Sequence, residues 1–493
     1  MSSTISSLSL AYRLNITIPM LLRSWISSLS RSQKYYGSNL DNSNSRAADN
    51  NDSRQNVDLE NESTRLLNQH ATSDLEDSKD YRSLMSLGKS TIKQTIFNAV
   101  NILVGIAILA LPLAFKYTGW IIGFSIFFFC LISTNYTAKL LKKCLDTDPE
   151  CLTYADLAYL AYGQKGKIFV GLIFLLDLSN QAVALMILVG DSLKIPFPHM
   201  DLTHLKLIVF LVITPITWLP IHHLSYTSLL GIPTASSLAL VLLFDGLTKF
   251  DAPGSLWQPM NTHLFPPNLM VLPLSFGLIN SAFSGHAVFP SLYRDMAKPL
   301  YFKKTVNSSY LISGIIYITV SVNVWIRNDG RGICYITQNI MSTGGYSLFL
   351  NSIVVWLIVI NPLAKYPLTL TPINLITEET FFQTKLGSFF KSNIVKRLFI
   401  ILSRSLVSFV IVGTAIIFPG FDRAMSLLGS CFSFLISIIC PLLFHLKMFG
   451  RYLSKKELIL DLFVLVVCSI MATLGTIWTF LANELLECDN IAN

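Results

Sequence analysis

The stretch NILVGIAILALP, from Asn101 to Pro112, lies inside the first long apolar run of the chain. A second stretch, SFGLINSAFSGHAVFP from Ser275 to Pro290, lies inside the sixth. Both place glycine in the middle of the run and proline after it. Glycine lowers the cost of leaving helical geometry, and proline removes a backbone donor. We therefore predict that both helices are interrupted, the first at Gly105 and the other near Ser284.

The composition indicates that these apolar runs lie in a lipid bilayer. Of the 493 residues, 52% are hydrophobic and only 13% are charged, and the mean hydropathy is +0.54. Soluble domains carry about 25% charged residues. A membrane-spanning helix needs about 20 apolar residues, and the runs here are too long and too uniform for barrel strands. The runs lie at roughly 95–115, 120–141, 168–192, 205–221, 224–245, 268–293, 305–326, 347–370, 398–418, 423–446 and 457–482. The predicted fold class is an all-α membrane protein with about eleven transmembrane helices.

The polar segments divide the chain into three parts. Residues 1–90 include a long stretch rich in Asn, Ser, Asp and Arg, which we interpret as a disordered cytosolic tail. A transit peptide or a membrane-surface helix within the first 40 residues remains an alternative. Residues 91–482 form the transmembrane domain, and 483–493 form a short lumenal tail. This orientation follows from lysine and arginine, which concentrate in alternate loops: Lys142, Lys143, Lys165, Lys167, Arg294, Lys298, Lys303, Lys304, Lys385, Lys391, Lys396, Arg397, Lys447, Arg451, Lys455 and Lys456.

The basic residues also bear on possible partners. The formal net charge is +8, but the lysines and arginines are spread between apolar segments and form no single face. We therefore expect no nucleic acid partner. No Cys/His spacing indicates a metal, and no constellation of nucleophile and base indicates an enzyme, so neither catalytic residues nor metal ligands are assigned.

The two interruptions predict a substrate site. They fall in spans one and six, which are five apart, as two inverted repeats of five helices require. An unwound segment exposes N–H groups that suit a carboxylate. Small residues also let membrane helices pack closely, which is the alternative explanation. For the carboxylate we select the backbone of Leu103, Val104, Gly105, Ile106 and Ala107, with Asn101 beside it. For the amino group or side chain of the substrate we select Ser281, Ser284 and Gly285.

Two titratable residues inside predicted spans are candidates for carrying a proton. Asp177 is the deepest acid of the third span, and His286 lies beside the second interruption. Ionisable residues are costly in lipid and therefore indicate function by default. The alternatives are that Asp177 pairs with a neighbouring hydroxyl or amide and that His286 caps unwound backbone.

Several long motifs carry a family resemblance. They are the first-span pattern from Asn101 to Pro112, TYADLAYLAYGQKGK from Thr153 to Lys167, GHAVFPSLYRDMAKP from Gly285 to Pro299, INPLAKYPLTL from Ile360 to Leu370, and PGFDRAMSLLGS from Pro419 to Ser430. In these motifs the sequence resembles the amino acid/auxin permease family over roughly residues 90 to 482. The vacuolar and vesicular branch, which contains the vesicular inhibitory amino acid carrier, is the most similar.

The resemblance implies a fold and an activity. The fold is a LeuT-like core of ten helices in two inverted repeats, with discontinuous helices one and six, plus an eleventh helix. The activity is secondary active transport of neutral amino acids, by exchange for protons, across the vacuolar membrane. A proton gradient would drive it without a cofactor. In sodium-coupled relatives the position of Asn101 helps to hold the ion, so sodium stays open as the coupling ion. Ala107 departs from the family pattern, which has glycine there.

The N-terminal tail suggests a sorting signal and a second function. In ESTRLL, Glu62 precedes Leu66 and Leu67 at the spacing of a dileucine signal that a sorting adaptor reads. The alternative to a transporter is an amino acid sensor that signals through this tail. The sequence leaves the oligomeric state open.

Overall fold

A computed structural model describes residues 90–149, 151–218, 231–252, 254–259, 261–327, 347–383, 393–418 and 420–481. These residues are helical or irregular, and they contain no β-strand beyond one isolated bridge between Ser90 and Met296. The two tails predicted at the ends of the chain lie outside this part, as does the sorting motif with Glu62, Leu66 and Leu67.

Thirteen α-helices are labelled here in chain order. They are α1 Ile92–Leu103, α2 Leu111–Leu145, α3 Tyr154–Leu193, α4 Leu202–Thr217, α5 Gly231–Thr248, α6 Leu272–Ser281, α7 Phe289–Arg294, α8 Phe302–Arg327, α9 Leu348–Gln383, α10 Asn393–Ile417, α11 Phe421–Leu427, α12 Cys440–Phe449 and α13 Lys455–Leu481. Among the described residues, seven helices are long and apolar enough to cross a membrane. Each of the eleven predicted runs contains helix, while the number of crossings and the inverted repeat stay predictions.

The first predicted span is interrupted as expected. α1 ends at Leu103, Val104 and Gly105 leave helical geometry, and a 3₁₀ turn over Ile106–Leu109 leads into α2. Gly105 has φ −108° and ψ −151°, which is extended backbone. Further along, Gly119 has φ +69° and kinks α2, so the part of α2 before it completes the first span and the part after it forms the second.

The sixth predicted span is interrupted as well. α6 ends at Ser281 and α7 begins at Phe289, and the seven residues between them form turns. Pro290 lies in the first turn of α7, where its missing N–H would have had no helical partner. The helix therefore resumes at Phe289, five residues after the predicted break near Ser284.

α6 crosses the segment after α11 at very close range. A Cβ atom on Gly277 would overlap the carbonyl oxygen of Ser426, and one on Gly429 would overlap that of Gly277. The segment that continues α11 is a π-helix over Leu428–Ser433 and again over Leu435–Ile439, before α12 begins. π-Helical turns are rare and are frequently found at functional sites. This crossing fixes the position of α6 in the bundle. The interruption that follows α6 lies next to the end of α1.

Candidate functional site

The two interruptions lie against each other. A Cβ atom built on Gly285 would be 3.2 Å from Leu103 Cδ2 and 3.3 Å from Ile102 Cγ2. Tyr317 of α8 joins them, because its hydroxyl oxygen lies 2.5 Å from the carbonyl oxygen of Leu103 and 2.7 Å from that of Ala282. The hydroxyl has one proton and donates to one carbonyl at a time. The structure thus brings together the last residues of both broken helices around one tyrosine.

Backbone N–H groups without a hydrogen-bond partner among the described residues lie on both sides of this contact. The amides of Ile106 and Ala107 make no hydrogen bond to any described residue, and neither do those of Gly285, His286 and Ala287. Free amides are the normal condition of a helix start, where they form a site for anions. Within the described part of the chain, the interruptions therefore present unpaired N–H groups from two segments that contact each other.

The backbone at Gly105 borders open space. A Cβ atom there would meet only the carbonyl oxygen of Leu103, at 3.9 Å. Because the extended geometry of Gly105 is accessible to any residue, its glycine is not required by strain. The absence of a side chain keeps this space free beside the amides of Ile106 and Ala107.

The polar side chains selected from the sequence lie in these segments. Ser281 is buried and its hydroxyl donates to the carbonyl of Leu278, 2.8 Å away. Asn101 and Ser284 are half-buried, and their side chains make no hydrogen bond to any described residue. The interruptions therefore offer uncharged donors and acceptors in addition to the main chain.

His286 attaches the second interruption to α2. Its Nε2 lies 3.0 Å from the carbonyl oxygen of Thr134 and 3.0 Å from the hydroxyl of Thr137. A carbonyl only accepts, so Nε2 carries the hydrogen. The Thr137 hydroxyl in turn donates to the carbonyl of Ser437 in the π-helical segment, at 2.6 Å. This buried imidazole holds helix to helix; its role as a proton carrier stays a prediction.

Asp177, the other candidate proton carrier, lies on α3. It is half-buried on α3, and its buried Oδ1 has no hydrogen-bond partner among the described residues. Three residues later, Asn180 donates to the carbonyl of Ala424 in α11, 3.0 Å away. Among the described residues, Asp177 makes no hydrogen bond to either interruption or to His286, and its role as a proton carrier stays a prediction.

The last residues of α7 and those that follow it are hydrogen-bonded to neighbouring segments at the end of the molecule that carries most basic loops, called here the basic end. Arg294 donates to three carbonyls of the loop between α2 and α3, at 2.8–3.1 Å: those of Leu145, Asp148 and Cys151. The Tyr293 hydroxyl contacts Asp146 Oδ1 at 2.5 Å. Ser90 pairs its backbone with Asp295 and Ala297. The most specific sequence motif thus anchors the short helix that ends the sixth span.

Sequence reasoning missed Tyr317. A tyrosine in the middle of an apolar span is a usable signal, because a buried hydroxyl needs a partner. Its partners are carbonyls freed by the two interruptions, which no local pattern identifies. The described residues contain no group of three or more His, Cys, Asp or Glu side chains that could hold a metal ion.

Comparison with known proteins gives the family. A family model described as "Transmembrane amino acid transporter protein" matches residues 88–482. Amino acid transporter AVT1B of Arabidopsis thaliana is 33% identical over 401 residues, covering 78% of this chain and 70% of the relative. Amino acid transporters AVT1C and AVT1I of the same plant are 31% and 28% identical, covering 78% and 80% of this chain and 69% and 95% of the relatives. The chain is a multi-pass membrane protein that belongs to the transmembrane amino acid transporter family, also called the amino acid/auxin permease family.

Proposed function

We propose that this protein exchanges protons for neutral amino acids across the vacuolar membrane. The observation that carries the proposal is the pair of adjacent interruptions with their unpaired amides. A zwitterionic amino acid needs donors for its carboxylate and acceptors for its ammonium group. The amides of Ile106 and Ala107 supply donors, with Gly105 leaving the space beside them open. A helix start also favours negative charge there.

The second interruption and its surroundings supply the rest of the site. The hydroxyls of Ser281 and Ser284 and the amide of Asn101 are acceptors within these segments. The residues that we assign to the site carry no charged side chain apart from the titratable His286, and this favours substrates with uncharged side chains. Asp177 and His286 are the candidates for proton coupling that the sequence supplies. Resemblance to the vacuolar branch and the motif at Glu62, Leu66 and Leu67 support the vacuolar location and a sorting adaptor as partner.

Alternating access fits the way the broken helices are held. α6 is fixed to the π-helical segment at Gly277 and Gly429, while α7 is held at the basic end by Arg294. The turns between them connect two separately anchored bodies. A substrate bound in these turns would contact both, so a shift of one against the other would change its exposure to the two sides.

The test is transport by the purified protein in vesicles. We would impose a pH gradient and screen labelled amino acids for uptake, then repeat the assay with Gly105→Val. The valine fills open space, so the variant should fold normally and lose at least about tenfold in uptake, because its side chain occupies the place of the carboxylate. Gly413→Val is the matched control, since a Cβ there meets nothing within 4 Å. Normal uptake by the Gly105 variant would reject the site.

Deleting residues 1–89 separates the transporter from the sensor alternative. Ser90, which pairs with Asp295 and Ala297, stays in place in this variant. A transporter keeps its flux in vesicles without the tail. Binding of amino acids without flux in the full-length protein would favour the sensor.

A further inference from the structure

A buried cluster of titratable side chains lies at the basic end, away from the interruptions. Asp461 of α13 is fully buried, and its two oxygens contact different helices. Oδ2 lies 2.8 Å from Nδ1 of His445 in α12, and Oδ1 lies 2.6 Å from the hydroxyl of Tyr136 in α2. His445 is 1% exposed. A buried acid and a buried imidazole therefore connect three helices, α2, α12 and α13.

The proton arrangement in this cluster follows from its donors. Nε2 of His445 lies 3.2 Å from Nζ of Lys143. A lysine ammonium only donates, so Nε2 accepts and the hydrogen of a neutral ring is on Nδ1, where it points at Asp461. The Tyr136 hydroxyl donates to the other carboxylate oxygen. In this state Asp461 is ionised, His445 is neutral, and Lys143 balances the charge from the far side of the ring.

The cluster has a route to solvent. Lys143 is exposed, and its Nζ lies 5.1 Å from the centre of the Phe449 ring. The titratable groups that face the pair from neighbouring elements are Tyr136, Lys143 and Cys144 on α2 and the exposed Glu457 on α13. A proton from the solution at the basic end can therefore reach Nε2 of His445 once Lys143 moves away from it.

α2 connects this cluster to the candidate substrate site. Tyr136, which contacts Asp461, is adjacent to Thr137, which contacts His286 of the second interruption. Thr137 also donates to the carbonyl of Ser437, which lies three residues before the start of α12, the helix that carries His445. Because Tyr136 and Thr137 are neighbours on α2, we expect a change in the contact with Asp461 to affect the contact with His286.

We propose that Asp461 and His445 form a proton-binding site that couples the proton gradient to amino acid exchange; this rests on the proposed function. A proton from solution binds the lone pair of Nε2, and the ammonium of Lys143 is displaced into solvent by like-charge repulsion. The imidazolium then pairs with the Asp461 carboxylate, and no other bond is made or broken. Release of the proton reverses the step. The net charge of the cluster changes by one, which alters the attachment of α2.

The experiment separates coupling from substrate binding. Full-length protein in vesicles is assayed for accumulation of a labelled amino acid mixture under a pH gradient and for exchange of labelled against unlabelled mixture at equal pH. Asp461→Asn and His445→Gln should lose at least about tenfold in accumulation and keep exchange within about twofold of wild type. A trapped pH dye should report no proton flux in either variant. His204→Gln is the matched control, because that side chain is 72% exposed.

The remaining outcomes are decisive in either direction. Accumulation at the wild-type level in both variants overturns the site, and so does a parallel loss of accumulation and exchange in protein that elutes as a folded monodisperse species. If the buried variants fail to fold, Lys143→Gln at the surface takes their place. This substitution removes a positive charge beside Nε2 of His445, so the pH dependence of accumulation should move to higher pH; an unchanged profile overturns the proposal. Absence of proton-driven accumulation in the wild type rejects the proposed function itself.

Discussion

Glycine serves opposite purposes in two regions of this molecule. At Gly277 and Gly429 two backbones are in contact, and a Cβ atom on either residue would overlap a carbonyl of the other helix. At Gly105 a Cβ atom would meet one carbonyl oxygen at 3.9 Å and otherwise nothing. In the first region the missing side chain lets helices approach. In the second it keeps a space open beside free amides, so we expect stability and transport to depend on different glycines.

Gly429→Ala has the largest expected effect on folding. Its methyl group would collide with main chain of α6, which cannot rotate away as a side chain can. Overpacking of a core costs about 1–3 kcal/mol and sometimes more, and we expect about 3 kcal/mol or above here. The measurement is the yield of monodisperse protein by size exclusion and its melting temperature. Gly413→Ala, at a position open on α10, is the control and should melt like wild type. A stable Gly429 variant would show that the crossing can separate.

Tyr317→Phe has the next largest expected effect. It tests the contact between the two interruptions. Removing the hydroxyl leaves the buried carbonyl of Ala282 without this donor, whereas the carbonyl of Leu103 still accepts from the amide of Gly105. An unsatisfied buried acceptor costs about 1–3 kcal/mol, so the melting temperature should fall clearly without loss of the fold. Uptake should also fall, since the ends of α1 and α6 are no longer joined. An unchanged melting temperature together with unchanged uptake would mean that the tyrosine fills space only.

The sequence predicts the interruptions better than it predicts their surroundings. Glycine and proline act on the backbone where they stand, so the breaks at Gly105 and after Ser281 follow from local patterns. Close packing, one of the two explanations weighed for the small residues, applies at Gly277 and Gly429, while the substrate site at Gly105 stays a prediction. A glycine can interrupt a helix or let it pack closely against another helix, and which of the two it does depends on the residues it faces in the fold. Gly429 faces Gly277 only in the folded chain, so the sequence does not show this contact. The same holds for the pair of Asp461 and His445, which are on different helices.

Gly285→Ala has a smaller expected effect, intermediate between the two glycine regions. Its Cβ atom would lie 3.2 Å and 3.3 Å from the ends of the Leu103 and Ile102 side chains. Flexible side chains can shift by a few tenths of an ångström, so we expect about 1 kcal/mol of destabilisation. Uptake should decrease more than stability does, because the amides on both sides of the contact move apart. Melting curves and initial uptake rates on the same preparation test this difference.

Gly105→Ala has the smallest expected effect on folding and separates the two uses of glycine most clearly. Its backbone geometry suits alanine, and the methyl group meets no close neighbour. Replacing glycine at a compatible position stabilises by about 0.4–1 kcal/mol through the unfolded chain, so the melting temperature should stay equal or rise slightly. The methyl group nevertheless narrows the space beside the amides of Ile106 and Ala107, and the apparent substrate affinity should fall severalfold. A variant that loses stability and keeps affinity would place Gly105 with the packing glycines and remove it from the site.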